Sequence, residues 1–160
     1  MKDSRVMAAL AAGLLTALGV AVGVGAQSGT DEPPEGPKFA ALDGGKEIGT
    51  DGQRNAGDRN GGGSFNVTID GRKLCYGLAV SNIGKPVAAH IHQAAPGKNG
   101  DVVVTLKHPK RGDPGSSSAC TRVSESRAED IQDRPRGFYV NVHNARFPAG
   151  AVRGQLFSGN

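Results

Sequence analysis

In this 160-residue chain, the residue types best suited to chemistry are three histidines in two strand-like segments. His90 and His92 stand in Ala89-His90-Ile91-His92, and His143 closes Tyr139-Val140-Asn141-Val142-His143. Alternate side chains of a strand face the same way, so His90 and His92 project together while Ile91 points to the opposite face. By the same rule Tyr139, Asn141 and His143 share one face, and Val140 and Val142 the other. Neutral imidazoles suit copper or zinc, and a His-x-His strand can supply two ligands to one ion. The competing reading is that the rings hydrogen-bond across neighbouring strands as satisfied polar groups. Spacing alone does not choose between the two. His108, beside Pro109 and Lys110, reads as an exposed loop residue.

Arg153 is the next candidate, as a binding residue. In Ala151-Val152-Arg153-Gly154-Gln155-Leu156, Val152, Gly154 and Leu156 share a strand face, and Arg153 and Gln155 share the other. A planar guanidinium can hold a partner's carboxylate or phosphate. It can equally pair within the fold, where Glu47 or Asp101 would serve. The chain shows no nucleophile turn with a Ser-His-Asp order, no phosphate-binding loop and no paired-carboxylate motif.

The elements that must position these groups follow an export signal. Lys2 and Arg5 form a basic start, residues 6–24 are apolar and uncharged, and Val24-Gly25-Ala26 offers small residues for cleavage. Residues 1–26 therefore read as a signal peptide. The apolar run is also close to the roughly 20 residues that span a bilayer, so an uncleaved anchor is the alternative, and the only membrane contact expected. Either way the body lies outside the cytoplasm, secreted or at the cell surface. Residues 27–38, QSGTDEPPEGPK, have the composition of a linker. Residues 39–160 fit one domain. A net charge of +4, with basic residues scattered among acidic ones and few aromatics, argues against nucleic acid. Cys75 and Cys120 should pair in an oxidising compartment, stabilising by roughly 4 kcal/mol in the chain-entropy model. Two buried free thiols would be the other outcome.

Strand signals recur at 39–42, 64–69, 74–80, 87–92, 102–106, 116–123, 137–144 and 151–157, with Asp70-Gly71 as a hairpin turn. Residues 43–63 are glycine-rich and polar without a period, which predicts a long surface loop. The one helix predicted is 124–132, with Ser124 as N-cap and Pro135 beyond its end. Short strands, at most one short helix and no crossover helices predict an all-β, antiparallel β-sandwich.

Two motifs, long and in fixed order, carry a resemblance. His90-Ile91-His92, the Gly97-x-Asn99-Gly100 turn and Val102-Val103-Val104-x-Leu106 come first. Tyr139-Val140-Asn141-Val142-His143 and Pro148-Ala149-Gly150-Ala151-Val152-Arg153-Gly154-Gln155-Leu156 follow. Together they resemble the CHRD domain, named for its repeats in chordin, over roughly residues 39–156, and secreted bacterial versions look like this chain, the Cys75 and Cys120 positions included. The resemblance implies an extracellular sandwich of the immunoglobulin or superoxide-dismutase-like kind, and it implies no reaction. The expected role is a non-enzymatic binding or structural module with an extracellular protein or glycan partner, through the loops at 43–63 and 107–115. The alternative is a single copper or zinc ion on His90, His92 and His143, with weak superoxide-dismutase-like redox activity. A copper/zinc superoxide dismutase also has a His-x-His strand and a later histidine. Its paired site needs more ligands than the four histidines present here can supply.

Overall fold

The structure, a computed structural model, describes residues 36–159. The expected signal, and the linker up to residue 35, lie outside the described residues. Nine strands form in chain order: β1 (Lys38–Asp43), β2 (Gly62–Asp70), β3 (Lys73–Ser81), β4 (Pro86–Gln93), β5 (Asp101–Leu106), β6 (Gly115–Arg122), β7 (Phe138–Asn144), β8 (Val152–Gln155) and β9 (Phe157–Ser158). One α-helix, α1 (Glu125–Asp133), lies between β6 and β7, and three-residue 3-10 turns form at Gly44–Lys46 and Pro135–Gly137. Every strand pair is antiparallel.

The strands run in the spatial order β5-β4-β7-β8-β1-β2-β3-β6, with β9 paired to β1. At the middle of this path β1 meets β8 through one register pair, Asp43 with Arg153. On either side of that junction the sheet folds back, and the two halves bury one common core. Its inward row includes Leu42, Phe65, Val67, Leu74 and Leu78 from one half, and Ile91, Val104, Phe138, Val140 and Val142 from the other. The period-2 pattern of each strand therefore sorts apolar residues inward, which also fixes register, because a one-residue slip would turn every inward side chain out. The two end strands are drawn together by side chains in place of a ladder. Lys107 N donates to the Tyr76 hydroxyl at 2.6 Å, and Ser117 Oγ donates to Lys107 O at 2.6 Å.

Local signals act where expected. Gly71 adopts φ +50 in the two-residue turn between β2 and β3, a conformation that costs glycine little. Ser124 caps α1 by accepting from Arg127 N at 3.2 Å, and Ala128 and Ile131 carry the helix into the core. The stretch predicted as a last strand at 151–157 divides in two. Leu156 turns fully into the core and its N–H donates to Phe138 O, so β8 pairs with β7 and β1 while β9 pairs with the start of β1.

Cys75 and Cys120 face one another in register on β3 and β6 and form a disulfide. With the two cysteines 45 positions apart in sequence, removing the cross-link by Cys75→Ala/Cys120→Ala is expected to lower unfolding free energy by about 4 kcal/mol. Urea unfolding of the two proteins checks this, and a difference below about 1 kcal/mol would mean that the unfolded chain keeps residual structure between these two segments.

Candidate metal centre

The outward faces of β4, β7 and β8 are polar but not fully solvated. His90 and His92 project outward from β4, Tyr139, Asn141 and His143 from β7, and Arg153 and Gln155 from β8. In register His90 lies opposite Asn141 and His92 opposite Tyr139, while His143 lies opposite Ala88. A β-bulge between Ile91 and His92 breaks the pairing with β5 beside the two rings. The three histidines converge: one nitrogen from each lies within 4.8 Å of the others, and among the described residues no other three His, Cys, Asp or Glu side chains form such a group. His92 is 9% exposed, and His90 and His143 are half-buried.

The carbonyls around the rings decide which nitrogens carry protons. His92 Nδ1 lies 2.8 Å from Gly100 O, and His143 Nδ1 lies 2.9 Å from Pro148 O. A carbonyl only accepts, so both Nδ1 atoms carry hydrogen and both neutral rings keep their lone pair on Nε2. His143 Nε2 lies 3.1 Å from His90 Nδ1, which makes His90 the donor and leaves its own Nε2 lone pair free. Backbone carbonyls holding the second nitrogen are the usual way a metal-binding imidazole is oriented. His92 Nε2 lies 3.1 Å from Asn141 Oδ1. The other end of the same amide, Asn141 Nδ2, donates to Ala149 O at 3.5 Å.

Burial favours the neutral form of His90 and His143. Desolvation, then the neighbouring His143 and His92, lower the His90 pKa to about 4. Burial also lowers His143, with His92 adding to the effect and the Pro148 carbonyl opposing it. A group whose pKa is lower folded than unfolded binds fewer protons when folded, so its contribution to stability is present above the unfolded value and lost on acidification.

A second network adjoins the first. The His92 ring stacks on Tyr139 at 4.8 Å between centroids and 8° between planes, and the Arg153 guanidinium lies 3.3 Å from the Tyr139 ring centre. Tyr139 is thus held between a ring from β4 and a cation from β8. Arg153 donates to Asn99 Oδ1 at 3.0 Å and to Lys98 O at 2.5 Å, and Glu47 Oε1 lies 3.9 Å away. Of its two expected partners the fold therefore selects Glu47, and Asp101 stays exposed. Glu47 is 1% exposed, and its Oε1 accepts from Ile48 N. Burial raises the Glu47 pKa, opposed by the Ile48 hydrogen bond, Arg153 and a hydrogen bond with Asn141. Gly150 is obligatory here, since its φ is +144 and a Cβ would stand 2.1 Å from Glu47 Oε2.

With the folded sheet and the two motifs on one face established, comparison decides the family. The chain matches the CHRD domain family model over residues 39–156. It belongs to the CHRD family. No curated protein and no solved structure matches the chain. The two motifs that define this CHRD domain build the outward face just described, the first through β4 and the 97–100 turn, the second through β7 and β8.

Three site residues escaped the sequence reading as site residues. Asn141 was visible only as a face-mate of His143, and Tyr139 likewise. Asn99 was visible as part of a turn motif, yet its work is to donate to Ile48 O and Gly49 O while accepting from Arg153. His108 stands apart from the cluster, half-buried, its Nδ1 2.9 Å from Pro109 O. The loop at 43–63 departs from the surface expectation: Glu47, Ile48, Gly57 and Gly61 are buried, because the loop covers the polar outer face around Arg153.

Two outcomes follow. Urea midpoints should fall as pH drops from 6.5 toward 4, the window set by His90, and His90→Gln should flatten that slope. An unchanged slope in the variant would remove His90 from the account. Arg153→Met should cost about 3–5 kcal/mol at pH 7, because it strands a buried carboxylate, and less at pH 5, where Glu47 protonates more readily. A loss below about 1 kcal/mol by chemical denaturation would contradict this.

Proposed function

We propose that this CHRD domain is an exported, non-enzymatic binding module, and that the ligand its geometry fits is one copper or zinc ion held by His90, His92 and His143. One observation carries the reading: three imidazoles converge within 4.8 Å. Nδ1 of His92 and of His143 is held by a carbonyl, so Nε2 is the atom each can offer an ion in place of its present partner, Asn141 Oδ1 for His92 and His90 Nδ1 for His143. The donor set is all nitrogen, which suits copper and zinc and not calcium or magnesium. The lowered pKa values of His90 and His143 also suit a metal ion, since protons compete for the same lone pairs. Export is supported by the charged, apolar and small-residue sequence of residues 1–26 and by the disulfide.

Binding is favoured over turnover because the carboxylate tied into the network, Glu47, touches Asn141 and Arg153 rather than the open side of the histidines. Three protein ligands leave a position for water or a partner's side chain, so the ion can also act as a bridge to an extracellular protein or glycan.

The test is titration of Cu(II) and Zn(II) into the full chain, made without a histidine tag. One equivalent should bind, His92→Ala/His143→Ala should abolish it, and His108→Ala should leave it unchanged. Binding should weaken on acidification. If the parent protein binds no ion and the double variant unfolds more readily, the cluster is a cross-strand support built on the His90–His143 hydrogen bond.

A further inference from the structure

A cleft of about 360 Å³ that no histidine of the cluster lines opens beside Arg153, between the loop at 44–55 and the 96–97 turn. It falls within the size range of small-ligand sites. Lys46, Arg54 and Arg153 line it, with Asn55, Pro96 and Gly97, and no acidic side chain does. Of these three cations only Arg153 has a carboxylate beside it, Glu47 at 3.9 Å, and that acid does not line the cleft. The acids nearest in sequence are already engaged. Asp43 Oδ1 accepts from Gly45 N, Asp51 Oδ1 accepts from Gln53 N, and Glu47 Oε1 accepts from Ile48 N.

Each cation is placed by a different device. Arg153 is 2% exposed and fixed by Lys98 O and Asn99 Oδ1, so it forms an immobile floor of positive charge. Burial lowers its pKa, and Tyr139 and Glu47 offset that only in part, so the cation still gains from a further anion. Lys46 Nζ donates to Ala41 O at 3.1 Å and has two N–H bonds left. Arg54 is set by the bridge between Ile48 and Arg54, and its Nη2 lies 3.7 Å from where a Gly97 Cβ would stand. Its guanidinium has no hydrogen-bond or ion-pair partner among the described residues. Asn55, beside it, holds φ +59, a left-handed conformation that non-glycine residues adopt at a cost and that recurs at binding sites.

We propose that this cleft binds an oxyanion carried by a sugar, a uronate carboxylate or a phosphate, with Lys46 and Arg54 as the ligand contacts and Arg153 as the fixed charge beneath them. Pro96 and Ile48 supply the apolar wall a sugar ring packs against. The site is separate from the histidine cluster, so it stands or falls independently of metal binding.

The experiment records amide NMR shifts of the full chain, with EDTA present, on addition of D-glucuronate, inorganic phosphate or polygalacturonate. The expected result is saturable shifts confined to residues 44–55 and 96–100. Binding should weaken at least about tenfold in Lys46→Gln/Arg54→Gln, whose substitutions are exposed, and persist in Lys110→Gln/Arg111→Gln. Response to glucuronate and phosphate alike assigns the cleft to free sugar acids and phosphates; response to polygalacturonate alone assigns it to an acidic polymer. Equal weakening in the two double variants would reduce the effect to general charge and overturn the proposal. So would no shift with any of the three probes.

Discussion

The buried guanidinium of Arg153 is the constraint on which the outer face of this domain depends. It stands where the two halves of the sheet meet, opposite Asp43, and at 2% exposure it has lost nearly all contact with water. Water is replaced by the Lys98 carbonyl, the Asn99 amide oxygen, the Tyr139 ring face and, more distantly, the Glu47 carboxylate. Burial lowers Arg153 and raises Glu47, so on both members desolvation outweighs the attraction between them. A pair of this kind adds little to stability over an apolar replacement. What it adds is specificity of place, since three separate segments must arrive together for the charge to be tolerated.

That requirement explains why the loop between β1 and β2 is ordered with no regular structure beyond a 3-10 turn at Gly44–Lys46 and the Ile48–Arg54 bridge. It has no apolar period of its own, and its burial comes from a partner about a hundred residues away. Glu47 brings it to Arg153, and Asn99 then clips its backbone by donating to Ile48 O and Gly49 O. The apolar core on the other side of the sheet proceeds independently, through Ile91, Val140, Val142 and Val152, all at 0% exposure. One strand face builds the core and the opposite face builds the site.

Legibility from sequence followed this division. The strands were readable because each has one face buried, and burial of one face writes alternation into the sequence. The Ser124 cap and the Asp70-Gly71 turn were readable because they are local. The convergence of His143 on His90 and His92 needed β7 to lie beside β4, a pairing of distant segments that periodicity does not encode. Glu47 was one of two candidate partners for Arg153 and only the fold could choose. The division of 151–157 into two strands was hidden because Leu156 continues the inward alternation while its backbone bonds elsewhere.

The two networks are physically continuous through residues 98–100. Arg153 fixes Lys98 by its carbonyl and Asn99 by its amide; the next residue, Gly100, presents its carbonyl to His92 Nδ1. Gly100 N also donates to the Tyr139 hydroxyl, whose ring lies against both His92 and Arg153. The carbonyl that selects the His92 tautomer is therefore held by a strap whose anchor is a charge, and that charge is itself held by the fold's central junction. Ligands mounted on two adjacent strands and oriented by such a strap are more precisely placed than ligands on free loops. A small change at Arg153 should then reach the histidines by two routes on this outer face, the backbone units of residues 98–100 and the Tyr139 ring that touches both Arg153 and His92.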